Sequence, residues 1–144
     1  MKILVDADAS PARAEIIEVC KRHGVAPIFV ANKSIPALEN RADVTMEVVS
    51  GEFDAADNWL IEQAEPGDLV LTADLLLAQR AAKKHVAAMT FSGVALSDDV
   101  IHEMVARREI QAYLRQMNLP NHQPVAFGKK SRSQFKAALH EWIE

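Results

Sequence analysis

Gly67-Asp68-Leu69-Val70-Leu71-Thr72-Ala73-Asp74-Leu75-Leu76-Leu77-Ala78 is the stretch on which the reading of the fold turns. Leu69–Thr72 is an unbroken apolar and β-branched run behind the turn pair Pro66-Gly67. A strand with no polar alternation is buried on both faces, as in a parallel sheet covered by helices. The run stops at Asp74, and Leu75–Lys84 takes up a helical period. A buried strand, a short acidic turn and a helix make one unit of an α/β fold.

The same rhythm recurs outward from this unit. Lys2–Val5 is a short aliphatic strand ending at Asp6, and a helix is expected from Ser10-Pro11 to the stop at His23-Gly24. Pro27–Ala31 reads as a second strand, Asn32–Asp43 as irregular, and Val44–Val49 as a third strand. A helix follows over Asp54–Ala64, and Val86–Met89 is a further strand. From Asp98 to Met117 the pattern is helical; after a loop with Pro120, Asn121, Pro124 and Gly128 comes a last helix over Ser131–Ile143. Its expected start is the capping box Ser131-x-x-Gln134. The alternation predicts a mostly parallel sheet flanked by helices, in one α/β domain with a helical C-terminal extension.

Composition agrees with a folded domain. The chain has 144 residues, 49% hydrophobic and 25% charged, a balance that excludes a disordered or collagen-like chain. Cys20 is the sole cysteine, so no internal disulfide can form. Asp6 and Asp8 break any signal-peptide core, and the apolar stretch around Leu69–Ala78 is too short to span a bilayer. The expectation is a cytoplasmic chain with no membrane partner. Charge is uneven: residues 1–106 hold 9 Lys/Arg against 17 Asp/Glu, while residues 107–136 hold seven basic side chains against Glu109 alone.

Ligands of parallel α/β sheets bind beyond the carboxyl ends of the strands. Asp6 and Asp8 follow the first strand, Asp74 follows the Leu69–Thr72 strand, and Asp54 and Asp57 open a helix one turn apart. Pooled carboxylates without nearby Cys or His suit a hard ion, Mg²⁺ or Mn²⁺, of the kind used in phosphoryl transfer. A simpler reading of Asp54 and Asp74 is that each caps a helix. Asp6 has no such use, and capping does not require acids at three separate places, so the five are read as one site. Lys33, Arg107, Arg108, Lys129, Lys130 and Arg132 can contact phosphate only if the fold brings them to this edge. Ser10 reads as a cap, Cys20 as a packed thiol, Trp59 and Trp142 as core, and His23, His85, His102, His122 and His140 as scattered.

The motifs Val5-Asp6-Ala7-Asp8-Ala9-Ser10-Pro11, GEFDAADNWL (Gly51–Leu60), GDLVLTADLLLA (Gly67–Ala78) and P-x-x-F-x-K-x-x-R-S-x-F (Pro124–Phe135) together resemble the uncharacterised bacterial YaiI/YqxD family, in order along nearly the whole chain. The resemblance implies a PIN-like domain over residues 1–144, with 97–144 as its helical extension, and an acidic pocket of Asp6, Asp8, Asp54, Asp57 and Asp74, with Thr72 beside it. Two positions depart from the family pattern. Ser10 stands where Cys is usual, and Thr90-Phe91-Ser92-Gly93 replaces a turn often written N-P-R-G, removing an arginine.

The leading expectation is a divalent-metal-dependent phosphodiesterase acting on RNA or DNA. Asp6, Asp8, Asp54, Asp57 and Asp74 would be its catalytic and metal-holding residues, and Lys129, Lys130, Arg132 and Thr72 its phosphate contacts. One alternative is a non-catalytic module that binds nucleic acid or protein around a structural ion. Another is a haloacid-dehalogenase-like phosphatase with Asp6 as nucleophile, which lacks the later acid pair and lysine that chemistry needs. A small parallel sheet also buries an edge well by forming a homodimer.

Overall fold

The computed structural model describes residues 1–50, 52, 54–120 and 127–144. Gly51 and Phe53 of the second motif, and the part of the loop holding Asn121 and Pro124, lie outside the described residues.

Five short strands, β1 (Ile3–Asp6), β2 (Ile28–Ala31), β3 (Thr45–Val48), β4 (Leu69–Leu71) and β5 (Ala87–Met89), pair in the order β3-β2-β1-β4-β5. Every pairing is parallel. The apolar runs are continuous because both faces are covered. Ile3, Val5, Phe29, Ala31, Leu69 and Leu71 point into one apolar cluster, while Leu4, Val30 and Val70 point into the other. All nine are 0% exposed, the period-2 alternation of a two-sided sheet.

The helices divide between the faces as the strand order requires. α1 (Arg13–Arg22) and the four-residue α2 (Pro36–Glu39) connect β1 to β2 and β2 to β3. They cover the first face with Ile16, Val19, Cys20 and Leu38. The chain then returns across the sheet through α3 (Ala55–Gln63), forms β4, and continues into α4 (Leu75–Lys83). Leu60, Leu77, Ala78 and Ala81 cover the second face. α5 (Asp98–Gln116) is anchored there by Ile101, whereas its later Ile110 and Tyr113 and the C-cap Met117 stand exposed.

α6 (Lys129–Ile143) returns to the first face, where Phe135 and Leu139 join the cluster of α1. Burying such a side chain fully contributes about 1.5–3 kcal/mol, so α6 is part of the main core. It runs parallel to α1, with three rungs between them. Arg132 Nη1 meets Glu15 Oε1 at 2.7 Å, Lys136 Nζ meets Glu18 Oε2 at 2.8 Å, and His23 Nε2 lies 2.9 Å from His140 Nδ1.

The observed ends explain two departures from expectation. α1 begins at Arg13 rather than Ser10, because a 3-10 turn over Ala7–Ala9 intervenes, and Ser10 Oγ accepts the Ala12 N–H at 3.4 Å. Its stop is as expected: Gly24 adopts φ 69°, and the Val25 N–H closes back on the Cys20 carbonyl at 2.9 Å. α6 begins two residues before the expected capping box, with Gly128 as N-cap. Ser131 thus lies inside the first turn. The first hydrogen bond already runs from Arg132 N–H to the Gly128 carbonyl at 2.9 Å, and the Glu15 pairing holds that turn in place.

Candidate active site at the strand ends

The chain leaves β1 toward β2 on one side and later places β4 on the other, so the topological switch point lies between β1 and β4. Open α/β sheets bind ligands at such a point, beyond the strand ends. There β1 ends in Asp6 and β4 is followed by Thr72.

Thr72 joins the two strand ends. Its hydroxyl donates to Asp6 Oδ2 at 2.9 Å and accepts the Asp74 N–H at 3.0 Å. Thr72 is fully buried and its oxygen is engaged on both sides, so it positions the acids rather than meeting a phosphate. Asp74 Oδ1 accepts the N–H groups of Leu76 at 2.9 Å and Leu77 at 3.3 Å, a helix cap of the expected kind. Capping and membership of the acidic edge are thus compatible in one residue. Asp54 occupies the cap position of α3 but makes no side-chain cap bond. Both Asp8 carboxylate oxygens face the Asn32 N–H, at 3.3 and 3.1 Å, which ties the turn after β1 to the end of β2.

Charge repulsion links all five aspartates. Burial pushes the Asp6 carboxyl above its ordinary range; the Thr72 hydroxyl opposes this, and the charges of Asp57, Asp8 and Asp74 add to it. Asp57 is pushed up first by burial and then by Asp74, with Arg80 opposing and Asp54 and Asp8 adding. Arg80 makes no ion pair with Asp57 among the described residues; its Nη2 donates to Asn58 Oδ1 at 2.9 Å. Acids separated by as many as 68 positions in the chain therefore repel one another at one sheet edge. Among the described residues, no three His, Cys, Asp or Glu side chains stand close enough to hold a metal ion.

The basic residues divide. Arg132 is committed to Glu15 and lies 4.7 Å from the Phe127 ring centroid, and Arg107 is paired with Glu103. Lys129 and Lys130 are exposed on the first turn of α6, with no ion pair among the described residues. Because α6 runs parallel to α1, that turn lies toward the acidic end of the sheet. The contact between His23 and His140 spans 117 positions, and neither residue carries a local signal of it. Among the described residues, no helix is long and apolar enough to cross a membrane.

Residues 4–144 match the model of an uncharacterised bacterial family, YaiI/YqxD. A UPF0178 protein of Brucella ovis is 39% identical over 137 residues, covering 95% of this chain and 85% of that protein. Another, from Rhodospirillum rubrum, is 35% identical over 144 residues, 100% of this chain and 96% of its own length. No solved structure matches. The chain belongs to the YaiI/YqxD family.

Proposed function

We propose that this YaiI/YqxD-family chain is a divalent-metal-dependent phosphodiesterase that cleaves RNA or DNA at the five-aspartate edge, with Mg²⁺ or Mn²⁺ as its ion. One observation carries the reading. Asp6 and Asp57, on different elements, are both held above the ordinary carboxylate range at the switch point, each with other aspartates among the causes. Such repulsion works against folding, and clustered perturbed acids in an α/β sheet edge mark a functional site. The PIN-like resemblance of the motifs supports the same reading.

The donor set suits a hard ion in kind: five carboxylates, oxygen only, with a surplus of negative charge. Asp6, Asp8, Asp54, Asp57 and Asp74 are the residues that would hold it. When bound, such an ion lowers the pKa of a water and offsets charge on a phosphate. The remaining parts are the chain's own. Thr72 fixes the Asp6 carboxylate, the first turn of α4 fixes Asp74, and the Asn32 amide fixes Asp8. Lys129 and Lys130 supply positive charge toward the strand's phosphates, and Arg132 braces their helix against α1.

Thermal unfolding with and without Mn²⁺ or Mg²⁺ tests the proposal, together with cleavage of single-stranded RNA and DNA. An ion that binds only the native state at a hundredfold excess over its dissociation constant adds about 2.7 kcal/mol of stability. The midpoint rise and the cleavage should both vanish in Asp8→Asn and in Asp74→Asn, the latter keeping its capping oxygen. No response to any divalent ion would sink the metal site. A response without cleavage of either nucleic acid would leave a binding module.

A further inference from the structure

We infer that the cleft between the first turn of α1 and the loop after β2 is a phosphate subsite for a nucleic-acid strand lying across the acidic edge. The inference rests on the reading of that edge as a phosphodiesterase site for what the strand does there, but its own support is separate. The cleft is an open space of about 450 Å³, within the range of small-ligand sites. Asp8 is in its lining, so an occupant adjoins that member of the acidic edge.

Arg13 stands on one wall and Lys33 on the other. Both are exposed, and neither makes an ion pair among the described residues. On the same face Arg132, Lys136 and Arg41 are each paired with a carboxylate, so Arg13 and Lys33 share with Lys129 and Lys130 a charge left open to a ligand. Arg13 is the first residue of α1, where the helix dipole disfavours a cation. Its position there is unfavourable for the helix, and an anion in the cleft would offset that cost.

The remaining lining suits the same ligand. Ser10 and Ser34 present hydroxyls, and Pro11 and Ile35 present apolar surface of the kind a sugar covers. Among the described residues Asp8 is the only carboxylate of the lining, and its oxygens face the Asn32 N–H. A guanidinium fork, an ammonium and two hydroxyls around one space are the donors a phosphodiester takes.

The test is a titration of a fluorescent ten-nucleotide single-stranded RNA in EDTA, across a range of salt, for the wild type and the double variant Arg13→Ala/Lys33→Ala. The double variant should keep its melting midpoint and its Mn²⁺-dependent rise, bind the RNA about tenfold more weakly, and show a salt slope shallower by about one, as expected when phosphate contacts are lost. Lys33→Glu alone should weaken binding further than Lys33→Ala. Unchanged affinity and slope in the double variant would overturn the subsite, whatever the metal response. Loss of RNA affinity in the variant, with no Mn²⁺ response in the wild type, would support the subsite and overturn the metal reading instead.

Discussion

Thr72 donates its hydroxyl proton to Asp6 across the gap between β4 and β1, a 2.9 Å hydrogen bond between residues 66 positions apart. The same oxygen accepts the Asp74 amide, so one buried hydroxyl sets two of the five acids. Thr72→Val keeps the shape and removes the bond. Leaving a buried group without its partner costs about 1–3 kcal/mol, and Thr72→Ser should restore most of the loss. Urea unfolding of the two variants measures this, and equal stabilities would show that the hydroxyl contributes nothing.

Asp57→Asn should behave in the opposite sense. The carboxyl is held up by burial and by Asp74, Asp54 and Asp8, with only Arg80 opposing, so removing its charge relieves repulsion in the native state. The melting midpoint in divalent-free buffer is expected to rise, while the Mn²⁺-dependent increase disappears. A midpoint that falls would mean Asp57 makes a stabilising contact stronger than that repulsion.

Gly93 is where the turn after β5 meets α6. Its φ is +87°, and a Cβ built there lies 2.8 Å from the Gln134 carbonyl oxygen and 3.0 Å from Ala138 Cβ. Gly93→Ala combines a strained backbone with a clash against a helix backbone, and should cost about 1–3 kcal/mol. Hydrogen exchange should quicken across α6 before α4. Uniform exchange in both helices would place the effect elsewhere.

Asp68 sets an acid limit on stability. Burial raises its carboxyl, but the N–H groups of Glu65 and Lys2 and the Lys2 ammonium, 3.0 Å away, outweigh burial and leave it below the ordinary range. A depressed acid contributes stability above its unfolded value, about pH 3.9, and that stability is lost as pH falls through the lower folded value. Asp68→Asn should therefore be less stable than the wild type at pH 7, with the difference narrowing below about pH 4. A constant difference from pH 7 to pH 3 would contradict the assignment.

The fold and the acids were legible to different depths. The strand at Leu69–Leu71 and the helix after it stand within a residue or two of where the pattern puts them. The Asp74 cap is also visible locally, because its partners are two and three residues away. Asp54 carries the same cap signature and makes no such bond, and the capping-box motif at Ser131 does not start α6. In both cases a local rule competes with packing that sequence spacing does not contain. The pairings of Arg132 with Glu15 and of His23 with His140 each span 117 positions and follow from how α6 lies on α1.

Residue order alone was enough to place acids after two parallel strands and at the head of a helix, since hydrophobic periodicity and turn chemistry act within a few residues. Which acids meet, which hydroxyl links them and which cations stay free depend on the order β3-β2-β1-β4-β5 and on α6 returning to α1. Those are contacts between segments tens of residues apart. They form only when the whole chain buries both faces of one sheet, and no local pattern encodes the cleft that results.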